Sequence, residues 1–528
     1  LLFGLLRLTN YFMDSKKVII IITAAMAALL EIIDASIVNV AVPSMMGNLG
    51  VTLDEISWVS TGYMIANSIV LPIAAWLGSR LGRQTYFTTA IMAFTLTSFA
   101  CGVAPNLPML VIFRILQGLA GGALLPTSQT LIQEQFPREK AGLASAVFGM
   151  TVMIGPALGP TLGGYLTDHF GWRMIFNINV PLGLAAAAMS YMNIDNGPKK
   201  ETKDQHGIDW TGLFLLCIGV GCFQFIMERG EVEGWWDSNL IRALSVFAAA
   251  GISTFIWWEL KVPNPIMNLK LFKDNAVRSG TLLMLCLGVM VYSLTFVIPI
   301  FVDHVVHLTA TQTGELFIPG SLLTFFAMMF VGNTIKYVNP KIYVLIGMVL
   351  GEAALLSMSH FTTQTGEINV YTPLIYRGIA TAFLFAPING MILGQYTGES
   401  LGQVSGMMNF FRQIGGSVGI ASLSTLLTRF SYQNYADLMP NVTLLNPTVY
   451  RAYEQGKMMG AKVLMGETGI AAGQQFSMAS LYSRTMRQVF ILSFSQLCWV
   501  IMITFGLALI PLYMVKLKGK LSAVTDAH

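Results

Sequence analysis

The chain has 528 residues, a net charge of +4, 54% hydrophobic residues and only 11% Asp, Glu, Lys and Arg. Soluble domains carry about 25% charged residues, so this chain cannot coat a water-facing surface of its size. Its mean hydropathy is +0.63. These values exclude a soluble enzyme, a nucleic-acid binder and a disordered chain.

A membrane helix needs about 20 mostly apolar residues. Fourteen such runs follow in chain order, at roughly 18–42, 57–78, 86–103, 109–131, 142–164, 173–192, 210–228, 240–259, 278–302, 314–335, 342–359, 371–394, 406–428 and 488–515. The run at 86–103 is short, and the one at 342–359 carries Glu352. Met13-Asp-Ser-Lys-Lys17 reads as a short cytoplasmic start, with residues 1–12 as an extension before it. Residues 429–487 form one long polar segment between the last two spans, too long for a mere turn. Five Cys lie in or beside apolar stretches without CxxC or Cys/His spacing, so neither a disulfide framework nor a metal site is expected.

The basic residues set the orientation. Arg7, Lys16, Lys17, Arg80, Arg83, Arg138, Lys140, Lys199, Lys200, Lys203, Lys261, Lys270, Lys273, Arg278, Lys336, Lys341, Lys516, Lys518 and Lys520 all fall on one side if the N-terminus is inside. Lys and Arg mark cytoplasmic loops, and an even number of spans then places both termini in the cytoplasm. Arg114, Arg377 and Arg412 fall inside predicted helices.

Two stretches match without a gap. Gly142, Ser145, Ile154, Gly155 and Gly159 recur as Gly402, Ser405, Ile414, Gly415 and Gly419. Span 5 therefore corresponds to span 13, and the chain divides into two six-span halves. The expected organisation is an N-terminal segment 1–17, a six-helix bundle 18–192, a linker with two extra helices 193–275, a second bundle 276–515 and a tail 516–528. This is an all-α integral membrane fold with 14 transmembrane helices. Repeated halves suggest transport by alternating access, with the site between them.

Charges inside spans mark function by default, because they are costly in hydrocarbon. Glu31 and Asp34 lie three apart on one face of span 1, in a setting that suits loading and releasing a proton. A carboxylate satisfied by a polar neighbour, serving helix packing alone, would look the same. Arg114 in span 4 stays charged and needs an anionic or carbonyl partner. It is either a coupling partner for a carboxylate or a clamp on backbone carbonyls. Asn39, Tyr63, Asn67 and Gln117 fall near mid-membrane in spans 1 to 4 and are candidates for a substrate cavity, with Arg377, Asn409 and Arg412 from the second half. Structural pairing with Glu352 is the alternative for the arginines. Span 5 carries Gly155-Pro156, Gly159-Pro160 and Gly163, a spacing that lets helices approach closely. No GxxxxGK[ST] phosphate loop occurs, so no cofactor is expected and energy comes from an ion gradient or transport is passive.

Together these residues resemble the major facilitator superfamily, specifically its 14-helix drug:proton antiporters of the EmrB/QacA type. Leu29-Leu-Glu31-Ile-Ile-Asp34-Ala-Ser-Ile-Val-Asn39-Val-Ala-Val-Pro43 looks like that branch's span 1. Arg114-x-x-Gln117-Gly118 is similar to the superfamily's proton-relay motif, and Gly155-Pro156-Ala-Leu-Gly159-Pro160-x-x-Gly163-Gly164 to its antiporter motif. Trp172-Arg173-Met-Ile-Phe176-Asn177-Ile-Asn179 and Asn409-Phe-Phe-Arg412 look specific to the branch. Stretches around Glu228-Arg229-Gly230 and Trp235-Trp236 look closest to EmrB-like pumps. The resemblance implies proton-driven export of amphipathic or hydrophobic drugs and toxic compounds across the inner (plasma) membrane. It makes Asp34 the proton-site carboxylate, with Arg114 as relay partner and Glu31 beside them. In a Gram-negative cell it also implies a periplasmic adaptor protein and an outer-membrane channel. One departure stands out: in the gating loop Leu77-Gly-Ser79-Arg80-Leu-Gly82-Arg83, the superfamily usually has Asp where Ser79 stands. Closure there is expected to be weaker or carried by other groups. A dedicated exporter of one cell-made compound, such as a siderophore or fatty acid, is the alternative function. A non-transporting membrane sensor is a remoter one.

Overall fold

A computed structural model describes residues 15–196, 209–263, 265–306, 308, 310–463 and 469–515. The expectations for residues 1–14 and 516–528 lie outside them, as do those for Lys199, Lys200 and Lys203. The described residues are helical with short connections and contain no strand.

The first group of helices comprises α1 (Ser15–Leu49), α2 (Trp58–Val70), α3 (Ala74–Leu81), α4 (Arg83–Gly102), α5 (Leu107–Gly121), α6 (Leu124–Glu134), α7 (Ala141–Phe170) and α8 (Asn179–Asn193). Next come α9 (Trp210–Arg229) and α10 (Asn239–Lys261). The second group is α11 (Asn275–Phe301), α12 (Ala310–Thr334), α13 (Pro340–Ser359), α14 (Glu367–Leu393), α15 (Gly398–Leu438), α16 (Pro447–Val463), α17 (Gly469–Gly506) and α18 (Leu509–Met514). Local chemistry sets several starts. The Asn106 side chain accepts from Met109 N at 3.1 Å to begin α5, and Asp209 accepts from Gly212 N at 2.8 Å to begin α9. Pro72 closes α2 into a short 3-10 turn before α3. Gly82, at φ +87°, makes the turn into α4, a backbone shape that favours glycine.

Each of the fourteen predicted spans is occupied by helix. Eleven helical stretches among the described residues are long and apolar enough to cross a membrane. The helices α4, α7 and α15 are not among those eleven. At 41 residues α15 is roughly 60 Å long, about twice the hydrocarbon thickness. It continues past the bilayer. The polar segment 429–487 thus contains the end of α15, then α16, then the start of α17, with α16 packed along α17.

Glycines set the approach of α7 to α1. A Cβ on Gly155 would run into Ile32, one on Gly159 into Ser36, and one on Gly163 would lie 2.8 Å from Ile37 Cγ1. The two groups meet mainly through α7 against α12 and α14, and through α15 against α3 and α6. Gly142 sits against Ile335 and Gly390, Gly149 against Met328 and Phe385, and Gly402 against Ala75. All these contacts lie toward the end that carries Arg80, Arg83, Arg138 and Lys140, called the basic end below. Toward the opposite end, α9 and the turn after it reach both groups. Gln224 donates to Ser417 Oγ at 2.6 Å, Arg229 to Ser57 Oγ at 2.6 Å, and Trp235 to Thr425 Oγ1 at 2.8 Å.

Candidate proton and substrate site

Asp34 is the centre of a buried polar cluster in the first group. Its side chain is fully shielded, and Arg114 is 1% exposed. Arg114 Nη1 donates to Asp34 Oδ2 at 2.5 Å, and Gln117 Nε2 and Asn179 Nδ2 each donate to Asp34 Oδ1 at 2.9 Å. Arg114 also donates through Nη1 to Gln117 Oε1 at 2.8 Å and through Nε to Val59 O at 3.1 Å. Its guanidinium lies 4.1 Å from the centre of the Tyr63 ring. Close packing places that ring: a Cβ on Gly118 would strike Tyr63 O, and one on Gly121 would lie 3.0 Å from Tyr63 Oη. Asn179 donates in addition to Ser98 Oγ at 3.0 Å, which donates to Phe176 O at 2.9 Å. One carboxylate therefore ties together α1, α5 and α8. A charged pair this deep holds only when its remaining groups are satisfied, and the flanking amides do that.

Glu31 shares the α1 face with Asp34 but has different partners. Asn67 Nδ2 donates to Oε1 at 2.9 Å and Leu125 N to Oε2 at 2.9 Å. Leu125 is near the start of α6, which follows α5 after Gly122 and Ala123. Tyr63, Asn67 and Gln117 are 2%, 3% and 0% exposed and belong to these two clusters. Asn39 is exposed on α1.

A second polar cluster joins the two groups. Gln129 of α6 donates to Asn389 Oδ1 at 2.7 Å and accepts from Ser405 Oγ at 2.8 Å and Asn409 Nδ2 at 2.5 Å. Arg412 donates to Asn409 Oδ1 at 3.3 Å and to Tyr292 Oη at 3.1 Å. Arg377 donates to Thr295 Oγ1 at 3.0 Å. Among the described residues neither arginine has a carboxylate within ion-pair distance, so pairing with Glu352 does not occur. The reason is placement: Glu352 sits on α13, whereas both arginines reach toward α11.

At the gating loop, Arg83 pairs with Glu134 of α6, Arg80 lies 5.5 Å from the Trp76 ring centre, and Ser79 donates only to Trp76 O at 2.9 Å. Glu134 is thus the acidic partner of Arg83 at this loop. Gly155, Gly159 and Gly163 pack on α1 as described; the side chains of Pro156 and Pro160 lie outside the described ones. Sequence reasoning did not assign Asn179, Gln129, Asn389, Ser405 or Glu134. Asn179 stood in a branch-specific stretch, and Gln129 and Asn389 are amides inside apolar spans, which is the signal that marks them.

A repeated helical bundle with buried charges at its centre is the architecture of a membrane transporter. Residues 24–420 match the Major Facilitator Superfamily. The chain belongs to that family and is a multi-pass integral membrane transporter. It is 32% identical over 449 residues to the multidrug export protein EmrB of Escherichia coli strain K12, covering 84% of this chain and 87% of that one. It is 31% identical over 430 residues to the fatty acid resistance protein FarB of Neisseria gonorrhoeae, covering 81% and 84%. Among solved structures it resembles the proton:xylose symporter XylE, with TM-score 0.57 and 13% identity over 89% of this chain and 95% of that one. At that identity the likeness concerns the fold.

Proposed function

We propose that the protein is a proton-coupled antiporter that exports amphipathic or hydrophobic drugs and toxic compounds by alternating access. The observation that carries this reading is the fully buried Asp34–Arg114 pair. A proton on Asp34 cancels one charge of that pair and turns one of the two oxygens, which together accept from three donors, into an O–H group that must itself donate. Arg114 must then lean on Gln117, Val59 O and the Tyr63 ring. Protonation therefore changes what holds α1, α5 and α8 together. The ordering of α1 also changes its glycine seam with α7, and α7 is the helix that packs on the second group. In this reading fourteen helices cross the inner membrane, the basic end and both termini are cytoplasmic, and the protein is closed on the cytoplasmic side. The substrate enters between the groups, lined by Asn39, Asn409, Arg412 and Arg377. The proton gradient is the only energy source. The similarity to the EmrB multidrug export protein supports drug export. A periplasmic adaptor protein and an outer-membrane channel are proposed as partners, with the projecting α15–α17 segment as the part that reaches them.

The test uses inverted vesicles. An inside-acid gradient drives drug accumulation, and adding drug releases protons from the lumen. Asp34→Asn abolishes both effects; persistence of both would reject Asp34 as the proton site. A dedicated exporter of one cell-made compound is the second reading, favoured by the likeness to the fatty acid resistance protein. A growth panel separates the two, because a dedicated exporter protects against one chemical type only.

A further inference from the structure

A cavity of about 880 Å³ opens between α11, α15 and α17. Pockets that hold drug-sized molecules measure about 300–1,000 Å³. Its first lining residue on α15 is Leu427. The start of that helix is tied to the basic end by Arg138, which donates to Thr397 Oγ1 at 3.3 Å. Leu427 lies about 43 Å along the helix from there, more than the roughly 30 Å of the hydrocarbon layer, so the cavity sits at the outer edge of the bilayer. Ser431, also in the lining, is about 28 Å of helix beyond Arg412. The cavity is therefore separate from the polar cluster around Gln129.

Its walls are held in place. Phe490 packs with Phe301 and Phe494 at ring-centre distances of 6.4 and 6.3 Å, and Phe361 joins them at 4.8 Å from Phe301. Asn434 pins α15 to α17 by donating to Ser493 Oγ at 2.9 Å and to Gln496 Oε1 at 3.0 Å, and Ser431 donates to Ser493 Oγ at 3.4 Å. The lining is aromatic with hydroxyl groups around it. Tyr432, Tyr435 and Tyr482 contribute rings and phenols, Ser483 and Thr428 hydroxyls, and Met486 a polarisable thioether. Among the described residues no acid lines it, so it holds no carboxylate to neutralise a cation. Arg487 lines it too but already has a contact of its own within the protein, so the cavity does not call for an anion either.

We propose that this cavity is a second binding site, on the outer side, for an uncharged planar aromatic compound that carries hydrogen-bonding substituents. The rings of Tyr432 and Tyr482 hold its flat body, and the hydroxyls meet its polar groups. The assignment rests on the export reading, in which the cavity takes the compound after it leaves the space between the two groups of helices.

Binding and transport are measured separately with naphthalene carboxamide, its fully saturated decalin counterpart and naphthyl trimethylammonium. Equilibrium dialysis uses the full chain in phosphatidylcholine nanodiscs. The wild-type protein is expected to bind naphthalene carboxamide at least about fivefold more tightly than either of the others. Tyr432→Leu and Tyr482→Leu each weaken it about two- to tenfold and leave the decalin compound unaffected. Both tyrosines are exposed, at 74% and 56%, so the substitutions leave the core untouched. Ser483→Trp fills the cavity and abolishes binding there. Equal wild-type affinity for the three compounds overturns the site, as does unchanged affinity in all three variants. A phospholipid that stays on the wild type in mass spectrometry of the intact protein, and is lost in Ser483→Trp, also overturns it, since lipid would then be the occupant. Cavity binding without accumulation of naphthalene carboxamide in inverted vesicles would reject the export reading and leave the site standing. Accumulation with unaltered binding in all three variants would do the reverse.

Discussion

Gln129 clamps the two groups of helices, and replacing it with Leu tests whether that clamp holds the observed conformation. The side chain makes three hydrogen bonds across the interface, to Asn389, Ser405 and Asn409. All four residues are at most 4% exposed. A hydrogen bond of this kind contributes about 1 kcal/mol net, so the three together contribute about 3 kcal/mol to the closed interface. When the groups part, water satisfies the same polar atoms. The loss therefore falls on the closed state alone, and the equilibrium shifts by a factor on the order of 150. Leu fills nearly the same volume as Gln, which limits any packing effect. The readout is a spin-label distance between exposed Ser79 on α3 and exposed Ser400 on α15, helices that pack together here. Labels are attached by chemistry orthogonal to the five native cysteines. The expected result is a short, narrow distance in the wild type and a new, longer population that dominates in Gln129→Leu. Identical distance distributions in the two proteins would refute the clamp. A cycle with Asn389→Leu then isolates that one bond, with coupling on the order of 1 kcal/mol.

Three further outcomes follow from the same geometry. Gly159→Val forces a side chain into Ser36 at the α1–α7 seam and lowers stability by about 1–3 kcal/mol; thermal melting of the purified protein measures it, and an unchanged melting point would show that the seam is not tight. Asn179→Leu removes a donor shared by Asp34 and Ser98 and shifts the pH at which drug export is half-maximal, whereas an unaltered pH profile would mean that Asn179 only packs. Glu231 lies in the turn beyond α9; burial opposes its ionisation, but hydrogen bonds from Thr425, Trp235 and Thr428 and the charge of Arg429 outweigh this and hold its carboxyl below the usual range. A depressed acid stabilises the fold above its unfolded pKa and loses that contribution as pH falls through the folded one, so Glu231→Gln flattens the acid limb of the melting-temperature profile below about pH 4.5, and parallel profiles would contradict it.

The helices were legible because hydropathy acts locally. Val18 to Val42 is long enough to span by itself, without reference to the rest of the chain, whereas the predicted run 57–78 gave no sign of the 3-10 turn at Pro72. The repeat of Gly142 to Gly159 at Gly402 to Gly419 was also visible, and both copies lie in helices that join the two groups. Legibility weakened where polarity served packing. The helix α15 carries Gly, Ser, Asn and Arg through the bundle, and its length beyond the bilayer cannot be read from an apolar run that ends near 428. At the gating loop Ser79 signalled a missing acid, but Glu134 is about fifty positions downstream and nothing local points to it.

Composition and pattern determined that the chain lives in a bilayer, where its helices run and which few charges are buried in it, because the transfer energy of a segment depends on that segment alone. Only tertiary structure decided the partners. Asp34 meets Arg114, Gln117 and Asn179 at separations of 80, 83 and 145 residues, and Arg377 and Arg412 meet neutral groups on α11 instead of Glu352. Those pairings are set by how closely whole helices approach, which the glycine seams fix in three dimensions and no single segment contains.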